Sequence, residues 1–186
     1  KPLIVCILAA GKGARMESEI PKVLHKINGT PMIIQVINTA KKLNPNKIIS
    51  IVGYKKELVQ ETVRDYNVEC IVQNEQKGTA HAVLQCEQIL KKIDGNLLVL
   101  SGDVPLITEK TLRNLIEAHF KNDSMGSLIS TIIDEPHGYG RIIRDRNQNF
   151  TNIVEQKDTN EFENKIFDIN SGIYIFNIDS YRKTTV

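Results

Sequence analysis

Short apolar runs alternate with helical patterns along the first part of the chain. Continuous apolar runs bounded by polar or glycine-bearing segments are typical of strands that are buried on both faces. The runs predicted to be such strands are Leu3–Ala9, Lys47–Val52, Val68–Val72 and Leu97–Leu100. The segments with helical periodicity are one that begins at Thr30-Pro31, then Glu57–Asp65, Thr79–Lys91, and one from a Thr108 cap to about Lys121. Strand and helix in alternation predict a mostly parallel sheet flanked by helices.

The helix after Thr30-Pro31 has the clearest start signal. A threonine hydroxyl at the N-cap followed by proline in the first turn is a favoured way to begin a helix. Apolar residues then recur on one face, and they are Met32, Ile33, Val36, Ile37, Ala40 and Leu43. We therefore expect this stripe to pack on the sheet.

The second half of the chain is rich in strands and has no long helical pattern. The strand-like segments are Ser127–Ile133, Gly140–Arg144, Phe150–Glu155 and Phe167–Phe176. Polar turns join them, which favours antiparallel strands added to the sheet. The sequence thus predicts one α/β domain over residues 1–186, Rossmann-like in its parallel part. Because the chain begins with Lys1 and stops just after an apolar strand, we expect this domain to be truncated at its C-terminal end.

Composition removes several protein classes. The chain has 186 residues, of which 41% are hydrophobic and 25% charged, with a formal net charge of +2. These values are ordinary for a globular domain. The small net charge does not indicate a basic surface that binds nucleic acid or anionic lipid. No apolar run approaches the roughly 20 residues of a transmembrane helix. Three scattered cysteines (Cys6, Cys70, Cys86) without a C-x-x-C pair indicate free thiols, so we expect a cytoplasmic protein.

The loop after the first strand is a candidate phosphate-binding segment. It reads Leu8-Ala9-Ala10-Gly11-Lys12-Gly13-Ala14-Arg15-Met16. Small residues there let backbone N–H groups approach phosphates and a nucleobase. The loop is neither a dinucleotide fingerprint, since Met16 stands where glycine is needed, nor a Walker A loop. Taken alone, it is equally compatible with a plain glycine-rich turn.

Further motifs follow at the ends of the other strands, where ligands bind in open parallel sheets. They are Pro21–His25, Gln73–Ala82, Ser101–Leu106, Gly138–Ile142, Ile153–Asp158 and Ile169–Tyr174. With this ordered set the chain resembles the sugar-phosphate nucleotidyltransferase family, and within it the uridyltransferases that act on N-acetylglucosamine 1-phosphate. The resemblance covers nearly the whole chain and implies the nucleotide-diphospho-sugar transferase type of fold.

Asp103 is the candidate metal ligand. It ends an apolar strand, where a carboxylate is able to hold Mg²⁺ on phosphate oxygens, although such an aspartate often only caps a turn. The resemblance adds Arg15 and Lys22, which would neutralise charge on the α-phosphate and on departing pyrophosphate. It also implies a second metal-ligating asparagine and part of the sugar pocket beyond Val186.

The nucleotide-binding residues are expected in the first loop and around Gln73. The glutamine amide is able to donate to uracil O4 and accept from N3–H, a pattern that cytosine inverts. The resemblance implies contacts from the Gly78-Thr79 turn, where Thr79 is expected to cap a helix as well. The full set is Leu8, Ala9, Ala10, Gly11, Gly13, Lys22, Gln73, Gln76, Gly78 and Thr79.

The resemblance places sugar binding at Gly140, Glu155 and Asn170, although the last two residues are equally able merely to end their strands. Four histidines show no metal-ligand spacing, and we expect structural or supporting roles for them; they are His25, His81, His119 and His137. No serine or cysteine is placed for covalent catalysis, so the sugar phosphate itself would be the nucleophile.

The expected reaction is therefore UTP plus N-acetylglucosamine 1-phosphate giving UDP-N-acetylglucosamine and pyrophosphate, with Mg²⁺. Two alternatives stay open. One is a related pyrophosphorylase that uses glucose 1-phosphate or another nucleoside triphosphate. The other is a non-catalytic module that binds sugar nucleotides for regulation. No hexapeptide repeat of the acetyltransferase type is present, and the sequence leaves the oligomeric state undetermined.

Overall fold

The computed structural model describes residues 1–13, 16–75 and 78–180. Its contacts divide the chain into two compact units. The first comprises Lys1–Ser127 and the chain from Tyr174 onward, and the second comprises Leu128–Ile173. That the whole chain is a single domain stays a prediction.

The strands of the described chain are β1 (Leu3–Ala9), β2 (Lys26–Ile27), β3 (Thr30–Pro31), β4 (Lys47–Val52), β5 (Glu69–Val72), β6 (Asn96–Ser101), β7 (Gly126–Ile132), β8 (Arg141–Arg144), β9 (Phe150–Val154) and β10 (Asp168–Asn177). The helices are α1 (Met32–Lys41), α2 (Lys56–Val63), α3 (Thr79–Leu84), α4 (Glu87–Leu90) and α5 (Glu109–Lys121), with short 3-10 turns between some of them. Each strand predicted from the sequence is present to within one residue at either end.

The first unit is built on a parallel sheet with the order β5-β4-β1-β6. Cys6 in the central strand β1 pairs with Ile49 on one side and with Val99 on the other. The end of β10 adds an antiparallel strand, with Tyr174 opposite Val99. The mostly parallel sheet with helices around it confirms the predicted fold class.

Both faces of this sheet are covered by apolar residues. On one face, Ile4 and Cys6 of β1 belong to a buried cluster that includes Val83 of α3. Val5 and Ile7 point to the opposite face, because side chains alternate along a strand, and both are fully buried. A central strand buried on both faces explains why its sequence is continuously apolar.

Two local predictions about helix α1 and the segment 79–91 are wrong. Helix α1 begins after Pro31 with no side-chain cap, because Thr30 instead pairs with Ile27 in the β2–β3 ladder. The segment 79–91 is divided into two helices, since the Cys86 N–H donates to the Val83 carbonyl three residues back, at 3.0 Å, and tightens the chain there. By contrast, the Thr108 cap of α5 is confirmed, and its hydroxyl accepts from the Thr111 N–H at 3.1 Å.

The second unit is antiparallel. Strands β8 and β9 form a hairpin in which Ile142 pairs with Ile153, and Asp145 closes its turn by accepting from the Asn149 N–H at 2.9 Å. The start of β10 pairs with β8, with Ile169 opposite Arg141. None of the helices in the described ranges has both the length and the apolar composition that crossing a membrane requires.

A buried arginine connects two loops of the second unit through hydrogen bonds. Arg141 is only 2% exposed. Its guanidinium donates to the carbonyls of Pro136 and Tyr139 and, at 2.8 Å, to Oε1 of Gln156. The same Gln156 oxygen accepts from the Gly138 N–H at 3.1 Å. The guanidinium therefore ties the loop before β8 to the turn after β9.

We predict that Arg141→Met lowers the free energy of unfolding by about 1–3 kcal/mol, because three acceptors lose their hydrogen bonds to a charged donor. The matched control is Arg144→Met, which removes a more exposed arginine of the same strand that pairs with Asp168 at 3.0 Å. We expect that variant to lose less than about 1 kcal/mol. Urea denaturation of both variants measures the difference, and equal losses would contradict the assigned role of Arg141.

Candidate active site

The carboxyl ends of β1, β5 and β6 open into one cavity of about 410 Å³. That volume lies within the usual range for small-molecule sites. Its lining residues, all in the first unit, are Leu8, Ala9, Ala10, Gly11, Gly13, Lys22, Val23, Gln73, Gly78, Thr79, Ala82, Ser101 and Asp103. The cavity therefore brings together motifs that are nearly a hundred residues apart in the chain.

The cavity collects every predicted nucleotide-binding and catalytic residue that the structure describes. Arg15 and Gln76, which were also predicted, lie outside the described residues. The individual roles of all these residues stay predictions. The structure shows that these side chains and loop backbones line one cavity.

Gly13 is a position where only glycine fits the backbone. Its φ is +71°, in the left-handed region that side chains disfavour. A Cβ on Gly13 would also lie 2.7 Å from the Cβ of Lys22, closer than carbon atoms approach each other. The glycine thus lets the first loop pass directly against the segment that carries Lys22.

Two of the lining residues, Lys22 and Asp103, form an ion pair. The Lys22 Nζ lies 2.6 Å from Oδ2 of Asp103, and the Ser101 hydroxyl donates to Oδ1 of Asp103 at 2.6 Å. Burial by itself would raise the pKa of Asp103, but hydrogen bonds from Lys22 and Ser101 and the Lys22 charge outweigh it, so the pKa lies below its usual value. The carboxylate is therefore ionised at neutral pH.

Gln73 also lines the cavity, and the residue is only 4% exposed. Its backbone N–H extends the sheet by donating to the Val52 carbonyl at 2.8 Å. Its side-chain Nε2 lies 2.9 Å from Nδ1 of His81, on helix α3. The side chain is thus held from both the strand end and the following helix.

The prediction that Thr79 caps a helix is wrong. Helix α3 has Gly78 at its N-cap, with a φ of +96° and no side-chain cap, and Thr79 is the first helical residue. A left-handed glycine makes the turn here, so the backbone needs no hydroxyl to begin the helix. Thr79 still lines the cavity.

The three predicted sugar-binding residues form a cluster within the second unit. A Cβ on Gly140 would lie 3.0 Å from Ile153 and 3.4 Å from Oε1 of Glu155. The Asn170 N–H donates to the Gly140 carbonyl at 2.9 Å. Gly140 therefore sits between the other two residues, and the Arg141 guanidinium fixes the loop in front of it.

A larger cavity of about 610 Å³ lies at the opposite edge of the parallel sheet. It is lined by residues such as Asn44, Lys47 and Glu69, at the amino ends of β4 and β5. None of the strand-end motifs contributes to its lining. Size alone therefore does not identify the site, whereas the position of the motifs does.

The sequence analysis did not identify two polar contacts around the smaller cavity, one made by Ser101 and one by His81, for which only a structural or supporting role was expected. Ser101 precedes Asp103 by two residues. A hydroxyl at that spacing from a strand-end carboxylate indicates that the serine donates a hydrogen bond to the aspartate. His81 follows Gln73 by eight residues, across a loop. Spacing alone gave no sign of that contact, because it depends on the path of the chain between strand and helix.

Comparison with known proteins shows the family of the chain. Residues 4–184 match the nucleotidyl transferase family. The chain is 44% identical over 170 residues to the bifunctional protein GlmU of Streptococcus uberis and 46% identical over 170 residues to that of Streptococcus thermophilus. Each alignment covers 91% of this chain and 37% of the relative, so the chain spans little more than a third of their length.

Among solved structures, a Bacillus anthracis protein described as a glucose-1-phosphate thymidylyltransferase has the same fold. Its TM-score is 0.77 at 22% identity, over 97% of this chain and 74% of that one. Nucleotidyltransferases of this family generally use a divalent metal ion. Asp103, an ionised and partly exposed carboxylate, is an oxygen donor suited to such an ion. The family match, which spans nearly the whole chain, and the gathered strand-end motifs place this chain in the nucleotidyl transferase family.

Proposed function

We propose that the chain transfers a uridylyl group from UTP to N-acetylglucosamine 1-phosphate, giving UDP-N-acetylglucosamine and pyrophosphate. The observation that carries this proposal is the single cavity in which the small-residue loop, Gln73, Lys22 and Asp103 meet. Identity of 44–46% to GlmU proteins supports the choice of reaction.

In this reaction an oxygen of the sugar phosphate attacks the α-phosphorus of UTP. A new oxygen–phosphorus bond forms, the bond from the α-phosphorus to the oxygen that bridges to the β-phosphate breaks, and pyrophosphate leaves. Such transfers need positioning and charge neutralisation more than covalent help from the protein. Lys22 supplies a cation in the cavity, where it would neutralise the α-phosphate and the leaving group.

We propose magnesium as the divalent ion. Mg²⁺ is held in proteins by one or two carboxylates, with waters and substrate phosphates as its other ligands. Asp103 would hold it, and no cluster of three or more His, Cys, Asp or Glu ligands occurs in the described ranges. When bound, the ion would neutralise negative charge on the phosphate oxygens. Ser101 orients the carboxylate through its hydrogen bond.

The cavity walls suit the rest of the nucleotide. Ala9, Ala10 and Gly11 offer backbone at close approach, and Gln73 offers one amide for a base edge. Gly140, Glu155 and Asn170 are proposed to bind the sugar, with the glycine making room for the ring and the polar side chains binding its hydroxyl and acetamido groups. We also propose a cytoplasmic location, since the three cysteines are free thiols.

The reaction is tested by a panel of substrate pairs. Pyrophosphate release is measured with UTP, CTP and dTTP, each with N-acetylglucosamine 1-phosphate and with glucose 1-phosphate. We expect the highest kcat/KM with UTP and N-acetylglucosamine 1-phosphate. Equal or better turnover with glucose 1-phosphate would overturn the sugar assignment. Binding of UDP-N-acetylglucosamine without release from any pair would show a binding module instead.

Lys22→Ala separates catalysis from binding. If Lys22 acts on charge that shifts during attack at phosphorus, its loss lowers the single-turnover rate by about two to three orders of magnitude. The affinity for UDP-N-acetylglucosamine, measured by calorimetry, falls much less. The matched control is Lys26→Ala, an exposed lysine of strand β2 that does not line the cavity.

We expect Lys26→Ala to leave both the rate and the affinity unchanged. If Lys22→Ala lowers the affinity and the rate in step, Lys22 only holds phosphate in the ground state. A wild-type rate in Lys22→Ala would remove this lysine from the active site altogether.

A further inference from the structure

The Gln73 amide has a fixed neighbour whose chemistry decides which end of the amide faces the cavity. Nε2 of Gln73 lies 2.9 Å from Nδ1 of His81, a normal hydrogen-bond distance. The same Nε2 is 3.5 Å from the Gly78 carbonyl, which is too long for a strong bond. His81 is thus the principal partner of the amide nitrogen among the described residues.

We propose that His81 is a positioning residue that fixes the orientation of the Gln73 amide and so sets the preference for uracil over cytosine. This inference rests on the proposed function, because it takes the cavity to bind UTP. The two orientations of a glutamine amide exchange a donor for an acceptor. Whatever holds the nitrogen in place therefore decides the hydrogen-bonding pattern that a base encounters.

The amide orientation in which Nε2 faces His81 matches uracil. With one Nε2 hydrogen directed at His81, the amide oxygen is left to accept from uracil N3–H, and the second hydrogen is left for uracil O4. Cytosine carries an acceptor at N3 and an amino group at C4, so both contacts would be lost with it. A rotated amide would present the inverse pattern and would favour cytosine.

The histidine ring must accept at Nδ1 for this arrangement, which places its own hydrogen on Nε2. Gln85 is the neighbour of that second nitrogen. Its amide nitrogen donates to the His81 carbonyl at 3.0 Å and lies farther, 3.3 Å, from the ring Nε2. The shorter contact of the ring is the one to Gln73, so Nδ1 is assigned as the acceptor.

The test compares three variants by their preference between UTP and CTP. His81→Leu removes the acceptor, His81→Asn restores a polar group at the same position, and His119→Leu is the matched control. His119 is a buried histidine of α5 that bonds Ser127 at 3.0 Å and does not line the cavity. The measurements are kcat/KM for each nucleotide with one sugar phosphate, calorimetric binding of UTP and of CTP, and the unfolding temperature.

In His81→Leu we expect the UTP-to-CTP ratio to fall roughly tenfold, the effect of one hydrogen bond on discrimination. The KM for the sugar phosphate should not change. His81→Asn should recover part of the ratio, because its side-chain oxygen is able to accept from Gln73. His119→Leu should lower the unfolding temperature and leave the ratio at its wild-type value.

An unchanged ratio in a folded His81→Leu would overturn the inference, as would an equal loss with both nucleotides. If wild type binds UTP and CTP alike and releases no pyrophosphate from any substrate pair, the proposed function itself fails. Calorimetry distinguishes failure of the His81 inference from failure of the proposed function. If the wild type binds UTP more tightly than CTP, the effect of His81→Leu on that difference is measurable even without turnover.

Discussion

The parallel pairing of β5, β4, β1 and β6 is the constraint on which the rest of the first unit depends. Parallel strands end at the same edge of a sheet, so residues far apart in sequence meet there without any direct link between them. The loop after Ala9, the side chain of Gln73 and the carboxylate of Asp103 are neighbours for this reason. The apolar runs that cover both faces of the sheet therefore also position the polar residues of the site.

The negative charge of Asp103 is stabilised by an ion pair and a hydrogen bond. Asp103 is ionised although partly buried, because Lys22 and Ser101 both donate to it. The ion pair keeps a cation and a carboxylate within 2.6 Å of each other in the cavity. Gly13 lets the first loop pass against Lys22, since a Cβ on Gly13 would lie 2.7 Å from the Cβ of Lys22. Backbone shape and electrostatics are thus coupled in one short stretch of the chain.

Predictions from the sequence were right where a continuous run or a fixed spacing decides the structure, and they failed where the path of a turn or loop decides it. Buried strands such as Leu3–Ala9 are continuous apolar runs, and the Thr108 cap is a local bond, so both were predicted correctly. Thr30 was wrongly assigned as a cap because its pairing with Ile27 competes with that role. The contact between Gln73 and His81 depends on the loop between them, which no periodicity describes. The strand-end motifs of the site were predictable, and the contact between His81 and Gln73 was not.

The most direct measurement of the central claim is a crystal structure of this chain with UDP-N-acetylglucosamine and Mg²⁺. We expect the uracil beside Gln73, the diphosphate along the loop from Ala9 to Gly13, and the metal ion on Asp103. A nucleotide seated instead in the cavity at the amino ends of β4 and β5, beside Asn44 and Glu69, would contradict it.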